Sequence, residues 1–214
     1  MGESLRVLDL FSGIGGFSLG LERTGGFKTV AFCEIEEFCR RVLAKHWPEV
    51  PCYHDVRTLT ATRLAADGIA VDVICGGFPC QDISSAGEKA GIDGERSGLW
   101  SELARLVGEL RPPYLLVENV ADLLNGPEER PGAWFGRVLG DLASIGYDAE
   151  WHCIPAAAVD APHIRDRVWL VAHPNGRRVR EFGAHAGNGR SVSPQGLERI
   201  VHRGGSREGA LADA

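Results

Sequence analysis

The chain has 214 residues, 44% of them apolar, and a net charge of −6, values that suit one globular domain with a buried core. It contains no apolar run of about 18 residues and no basic amino-terminal segment followed by an apolar stretch. We therefore expect no membrane contact, no secretory signal and a cytoplasmic location. The six cysteines form no Cys-x-x-Cys pair and no Cys/His cluster, so we expect no bound metal.

Charge is divided unevenly along the chain. Residues 1–162 hold 14 Lys and Arg against 24 Asp and Glu, whereas residues 163–214 hold 9 Arg against 5 acids. An acidic body argues against broad non-specific binding of nucleic acid, although a local basic face still permits a specific contact.

Apolar periodicity predicts strands that alternate with helices through most of the chain. The predicted strands are residues 5–10, 27–32, 52–54, 71–75, 114–117, 147–154 and 167–172. The predicted helices are residues 17–22, 36–47, 58–66, 99–110 and 134–142. This order predicts an α/β fold with a doubly wound, mainly parallel sheet, helices on both faces and an antiparallel last strand pair. Cys33, Cys75 and Cys153 lie in apolar strand-like runs and are expected to be packing residues.

The first strand runs into a glycine-rich turn, Phe11 to Gly16, that opens a helix. Such a turn lets the backbone approach a ligand, but by itself it is a weak signal shared by many nucleotide binders. Glu34 ends the second strand, where an acid can hold ribose hydroxyls, and Asp55 follows the third, where a carboxylate can accept from an adenine amino group. The alternative for either acid is a solvated strand end.

The fourth strand leads into residues 76–81, with the sequence GGFPCQ. This turn presents the sulfur of Cys80 at the carboxyl end of a strand, where open α/β sheets bind ligands. Cys80 is a candidate nucleophile, and the alternative is a small buried hydrophobic residue. The long loop over residues 76–97 is expected to be functional or mobile.

Glu118-Asn119 ends the next long strand, and Arg165 and Arg167 precede or begin the last one. Taken singly, the first pair could be a turn and the arginines a surface charge run. Together with Cys80 they place reactive groups repeatedly at the carboxyl ends of strands or in the loops that follow.

In this order the motifs resemble those of the DNA cytosine-5 methyltransferases, a family that uses S-adenosylmethionine. The segments that carry the resemblance are residues 9–17, Glu34-Ile35, Asp55-Val56, residues 77–81 with 96–100, residues 118–120 and residues 165–167. The resemblance implies a Rossmann-like catalytic domain over residues 1–174, and residues 175–214 as a mobile tail or the start of a target-recognition region.

The resemblance also implies a role for each matched residue. It surrounds the cofactor with Phe11, Gly13, Ile14, Gly16, Glu34, Ile35, Asp55, Val56, Gly77, Pro79 and Leu99. It places Gln81, Ser84, Ser85, Lys89, Arg96 and Asn119 at the DNA, although simple solvation is an equal alternative for the two serines. Phe11 would stack on the adenine of the cofactor.

For the reaction, the resemblance implies that the Cys80 thiolate adds to carbon 6 of cytosine and so activates carbon 5 for methylation. Glu118 would hydrogen-bond ring nitrogen 3 and the exocyclic amine, Arg165 would hold the base carbonyl, and Arg167 would support the loop or a phosphate. The substrate would be double-stranded DNA with the target cytosine rotated out of the stack.

The chain departs from the family after Pro174, where the separate recognition domain and the returning helix are not evident. One alternative is therefore a truncated or split enzyme that binds the cofactor or a second polypeptide but is inactive alone. A nicotinamide-dependent dehydrogenase is a remoter alternative, disfavoured by the glycine spacing, and methylation of RNA is a further variant.

Overall fold

A computed structural model describes residues 3–79, 99–127 and 130–176, and within these ranges it contains a seven-stranded sheet. The strands are β1 Leu5–Leu10, β2 Phe27–Cys33, β3 Cys52–Tyr53, β4 Val73–Gly76, β5 Tyr114–Val120, β6 Tyr147–Pro155 and β7 Asp166–Pro174. The helices are α1 Gly16–Arg23, α2 Glu37–His46, α3 Ala61–Ala66, α4 Leu99–Leu110 and α5 Ala133–Ser144. Two short 3-10 helices, Ala121–Leu124 and Ala156–Val159, follow β5 and β6.

The strand order in the sheet is β3-β2-β1-β4-β5-β7-β6. The first five strands pair in parallel, whereas β7 is antiparallel to both β5 and β6. The chain order reverses direction across the sheet between β1 and β4, and ligands of doubly wound sheets bind outside the carboxyl ends of the strands at such a point. The predicted fold class, including the antiparallel last pair, is confirmed.

Several element boundaries differ from the predicted ones by one to three residues, and two of these differences have identifiable reasons. β5 continues to Val120 because its polar residues Glu118 and Asn119 pair with β7, a partner far away in sequence. α3 begins at Ala61 and not near residue 58, because the side chain of Thr60 accepts a hydrogen bond from the Arg63 N–H at 3.1 Å and caps the helix there.

Both faces of the sheet are covered, as alternation along β1 shows. Leu8 and Leu10 belong to a large apolar cluster with residues of α4 and α5, including Trp100 and Phe135. Val7, from the opposite face, packs with β4 residues and with Phe17 and Leu21 of α1. Fully buried strands with helices on each side give the continuous apolar runs that the sequence shows.

β6 lies at the edge of the sheet, and most of its residues are exposed. The prediction that Cys153 packs in the core is therefore wrong, whereas Cys33 and Cys75 are buried as expected. An edge strand has a neighbour on one side only, so an apolar residue there need not be covered.

The chain divides into a compact unit, Met1–Arg177, and a second unit, Arg178–Ala214. The second unit lies outside the described residues, as does all but the start of the predicted tail. In the described part of the chain, no helix combines the length and the apolar character needed to cross a bilayer.

Candidate active site

The glycine-rich turn after β1 is built from backbone conformations that most residues avoid. Phe11, Gly13 and Gly15 have φ values of 54°, 53° and 88°, and a side chain at such angles is strained unless its surroundings enforce the turn. A Cβ on Gly15 would come within 2.7 Å of the Trp47 ring. The turn therefore needs glycine at Gly15 for close packing as well as for its left-handed backbone.

Asp9, near the end of β1, stabilises this turn by hydrogen bonds to residues in the turn and in α1. Its carboxylate accepts a hydrogen bond from Ser18 Oγ of α1 at 2.7 Å, and its carbonyl accepts from Ser12 Oγ at 2.5 Å. Burial raises the pKa of the Asp9 carboxyl to about 7, against the lowering effect of the Ser18 hydrogen bond. The strand and the helix are thus joined directly beneath the turn.

Glu34 follows β2 and is buried, with both carboxylate oxygens engaged by backbone N–H groups. Gly13 N donates to Oε2 at 2.7 Å, and Glu36 N donates to Oε1 at 2.8 Å. These bonds fix the carboxylate beside the glycine turn, and each oxygen retains a lone pair for another donor. A ribose diol is a group of the right chemistry to use them.

Asp55 follows β3 and is held by a residue that the sequence analysis did not select. Arg57 contacts its carboxylate with the backbone N–H and with the guanidinium, at 2.9 Å from Nη2 to Oδ2. Hydrogen bonding from Arg57 lowers the pKa of the Asp55 carboxyl. Asp55 is therefore an ionised, oriented acceptor.

A cavity of about 610 Å³ lies at the carboxyl ends of these strands. Among its lining residues are Phe11, Glu34, Ile35, Asp55, Val56, Gly77, Pro79 and Leu99, all of them predicted cofactor residues. Three other predicted cofactor residues do not line the cavity: Gly13, Ile14 and Gly16. Gly13 nevertheless donates its backbone N–H to Glu34, which does line the cavity. Four further lining residues were not predicted from the sequence, although they directly flank the predicted pairs: Cys33, Glu36, His54 and Arg57.

Glu118 and Arg167 lie side by side where β5 pairs with β7. Arg167 Nε donates to Glu118 Oε1 at 2.8 Å, and both side chains are only partly exposed. A Cβ on Gly77 would come within 2.8 Å of Glu118 Oε2. The Glu118 carboxylate therefore lies against the backbone of the turn that leads to Cys80. Arg165 lies in the exposed segment before β7, where its carbonyl accepts from Ala156 N at 3.1 Å.

Asn119 is buried, with 2% of its surface exposed. Its Nδ2 donates to the Phe78 carbonyl at 3.1 Å, and its Oδ1 accepts from Val120 N at 2.8 Å. The expectation that Asn119 contacts DNA does not fit this burial. Its side chain instead ties β5 to the turn after β4, and so it orients the segment that precedes Cys80.

Cys80, Gln81, Ser84, Ser85, Lys89 and Arg96 lie outside the described residues. Among the described cysteines, burial raises the thiol pKa in each case. The affected residues are Cys33, whose pKa is raised to about 12, Cys39, Cys52, Cys75 and Cys153. A raised thiol pKa leaves little of the nucleophilic thiolate at neutral pH.

Comparison with known proteins finds relatives that match most of this chain. A family model described as C-5 cytosine-specific DNA methylase matches residues 5–202. Type II methyltransferase M2.BsuMI of Bacillus subtilis is 37% identical over 172 residues, which are 78% of this chain and 42% of the relative. Type II methyltransferase M.Eco47II of Escherichia coli is 38% identical over 171 residues, which are 79% of this chain and 39% of the relative.

Two solved structures share the fold. A prophage-encoded E. coli protein, described as a DNA modification methyltransferase, aligns with a TM-score of 0.67 and 31% identity over 80% of this chain and 47% of its own. DNMT2 of Spodoptera frugiperda aligns with a TM-score of 0.64 over 81% of this chain and 51% of its own, at 23% identity. The chain thus spans less than half the length of the curated relatives that it matches.

Proposed function

Because the chain belongs to the C-5 cytosine-specific DNA methylase family, we propose that it is a catalytic domain that methylates carbon 5 of cytosine in DNA. The observation that supports this most strongly is the shared carboxyl edge of the sheet. One end of that edge holds a cavity lined by Glu34 and Asp55, and Gly77 joins the cavity to the Glu118–Arg167 pair.

We propose S-adenosylmethionine as the ligand of the cavity, which when bound supplies the methyl group. The fit is chemical: Glu34 is a fixed, buried acceptor suited to a ribose diol, and Asp55 is an ionised acceptor suited to an adenine amino group. Phe11 offers a ring to the same cavity for stacking.

We assign the nucleophile to Cys80, which directly follows Pro79, a residue that lines the cavity. Its thiolate would form a bond to carbon 6 of the cytosine and displace an electron pair to carbon 5. That pair would form the new carbon–carbon bond as the methyl–sulfur bond of S-adenosylmethionine breaks, with S-adenosylhomocysteine as the leaving group. A base, for which water is one candidate, would then remove the proton from carbon 5, and the thiolate would leave as the double bond re-forms.

We assign Glu118 to the ring nitrogen 3 and the exocyclic amine of the cytosine. Its hydrogen bonds would offset the charge that develops as the thiolate adds. Arg167, which pairs with Glu118, is the arginine best supported beside the base. This reverses the roles expected from the sequence, in which Arg165 held the base carbonyl, and leaves Arg165 for a DNA phosphate.

The substrate would be double-stranded DNA with the target cytosine turned out of the stack, since its carbon 5 is otherwise enclosed by neighbouring bases. We assign Gln81, Ser84, Ser85, Lys89 and Arg96, which follow Cys80 in the sequence, to contacts with the DNA. A second candidate function is favoured by the length comparison, because the curated relatives are more than twice as long as the matched segment. In this second candidate function the chain binds the cofactor but requires a second polypeptide for methyl transfer.

The test is transfer of labelled methyl from S-adenosylmethionine to duplex DNA, followed by identification of the modified base. The chain is assayed alone and together with the portion of M2.BsuMI that lies beyond the matched segment. Labelled 5-methylcytosine from the chain alone supports the first candidate, and 5-methylcytosine only in the mixture supports the second. Binding of the cofactor without methylation in either assay would contradict both.

A further inference from the structure

We propose that Arg57 is a positioning residue that makes the cavity selective for a purine carrying a 6-amino group, because it holds the Asp55 carboxylate as an oriented acceptor. This inference rests on the proposed function, since it assumes that an adenosyl compound fills the cavity. It concerns a residue that no motif singled out and that the cavity nevertheless includes.

The contacts between the two residues leave the carboxylate little freedom. Asp55 Oδ1 accepts from the Arg57 backbone N–H at 3.0 Å and from Nε at 3.0 Å. Oδ2 accepts from Nε at 3.1 Å and from Nη2 at 2.9 Å. Backbone and guanidinium of one residue thus grip the same carboxylate, and a planar fork fixes its plane as a single point charge would not.

The orientation of the Asp55 carboxylate matters because an oriented carboxylate distinguishes a ligand group that donates a hydrogen bond from one that accepts it. An ionised carboxylate only accepts, and its two oxygens offer about four lone-pair positions. Arg57 uses three N–H donors, the backbone N–H, Nε and Nη2, of which Nε is shared between the two oxygens, so about one position is left for a further donor. A 6-amino purine supplies that donor. A 6-oxo purine presents a carbonyl oxygen instead, which would leave two acceptors facing each other without a proton between them.

Other charged groups at the cavity allow a competing explanation, in which Arg57 acts only as a positive charge. Glu34 and Glu36 line the cavity at the end of β2, and His54 precedes Asp55. A cation among these carboxylates would strengthen the binding of many anionic or polar ligands. A lysine at position 57 keeps the charge and loses the fork, so it separates the two explanations.

The experiment measures, by titration calorimetry, the binding of S-adenosylhomocysteine and of S-inosylhomocysteine, which differs in carrying a 6-oxo group. The variants are Arg57→Ala, Arg57→Lys and Asp55→Asn, with Arg41→Ala as the matched control. Arg41 also pairs with an acid, Glu37, but in an exposed i,i+4 pair on α2 that does not line the cavity.

We expect the unchanged chain and Arg41→Ala to prefer the adenosyl compound by about 10- to 100-fold, the range for one hydrogen bond to a charged group. In Arg57→Ala and Arg57→Lys the preference should fall to about that of Asp55→Asn, whose amide can rotate to suit either purine. The ratio of the two affinities is the readout, because general damage to the cavity lowers both affinities alike.

Retention of the full preference in Arg57→Lys would show that charge suffices and would overturn the positioning role. An unchanged ratio in Arg57→Ala or in Asp55→Asn would overturn it as well. Failure of the unchanged chain to bind S-adenosylhomocysteine would contradict the proposed function together with this inference. Binding with an unaltered ratio in the Arg57 variants contradicts the inference alone.

Discussion

At the scale of single residues, the position of the candidate catalytic residue Glu118 depends on residue 77 being a glycine. Gly77 leaves the space that the Glu118 carboxylate occupies, and Arg167 then holds that carboxylate from the other side. A methyl group at position 77 would meet the end of a flexible side chain at 2.8 Å, whereas the Glu118 carbonyl would remain at an ordinary 3.5 Å. The cost should therefore fall on the position of Glu118 and much less on the fold.

We predict that Gly77→Ala lowers methyl transfer by about 100-fold, as expected for a displaced catalytic group, while its unfolding free energy changes by less than about 1 kcal/mol. Gly136→Ala, on α5 with nothing within 4 Å of the added Cβ, is the control. It should keep full methyl transfer and gain about 0.5–1 kcal/mol of stability. Equal methyl transfer in the two variants would contradict the assigned position of Glu118.

Asp9 should make stability depend on pH in the opposite sense to a carboxylate in an ion pair. Its pKa is raised to about 7 in the folded chain, against about 3.9 in an unfolded chain. Between about pH 4 and pH 7 the folded state therefore binds more protons than the unfolded state, and stability falls as the pH rises.

The prediction is that unfolding by urea at pH 5 and pH 8 shows Asp9→Asn gaining stability relative to the unchanged chain as the pH rises. The gain should reach up to about 1.4 kcal/mol per pH unit within the window. Asp67→Asn is the control, because an ion pair with Arg63 lowers the pKa of the exposed Asp67 carboxyl. Its difference from the unchanged chain should be the same at both pH values. A constant difference for Asp9→Asn as well would show that this carboxyl titrates normally.

Single residues also show most clearly which parts of the candidate site can be predicted from the sequence. Glu34, Asp55 and Glu118 could be selected because each follows an apolar run, and strand ends are where such sheets bind ligands. Arg57 could not be selected, and Asn119 was selected for a DNA contact and not for its buried hydrogen bonds, since both roles depend on partners rather than on a pattern. The close approach of Arg167 to Glu118 likewise comes from the pairing of β5 with β7, which a local pattern does not contain.

At the scale of elements, periodicity identified every described strand and α-helix, because a buried parallel sheet produces long apolar runs. The ends of elements and the exposure of edge strands were harder to predict from the sequence. β5 extends through polar residues, and β6 is exposed, so Cys153 is not covered. Helices α4 and α5 are joined by a hydrogen bond from Trp100 Nε1 to Asp141 Oδ2 at 2.9 Å. Trp100 is buried and packs against Phe78, so it also supports the turn before Cys80.

We predict that Trp100→Ala lowers the unfolding free energy by about 3–5 kcal/mol, the usual cost of removing a buried large aromatic side chain. Trp151→Ala is the comparison, since Trp151 is 43% exposed and makes one edge contact with Phe135. That variant should lose about 1 kcal/mol. Urea denaturation of both measures the difference, and similar losses would contradict the assignment of Trp100 to the core between the helices.

At the scale of the whole molecule, topology gathers the candidate site from distant parts of the sequence. β1, β2, β3 and β4 end at the cavity, and β5 with β7 supplies Glu118 and Arg167 next to it. Pro79 and Leu99, which bracket the segment that contains Cys80, both line the cavity. The proposed nucleophile Cys80 therefore belongs to a segment whose two flanking residues line the cavity, and the proposed reaction depends on the chemistry of that cysteine.

The most direct measurement is covalent trapping on duplex DNA that carries 5-fluorocytosine, because fluorine at carbon 5 cannot leave as a proton does and the adduct persists. With S-adenosylmethionine present, peptide mass spectrometry should find the methylated base attached to Cys80, and Cys80→Ser should give no adduct. The assay uses the chain with the M2.BsuMI portion supplied. An adduct on another residue, or methyl transfer to unmodified DNA that persists in Cys80→Ser, would contradict the proposed reaction.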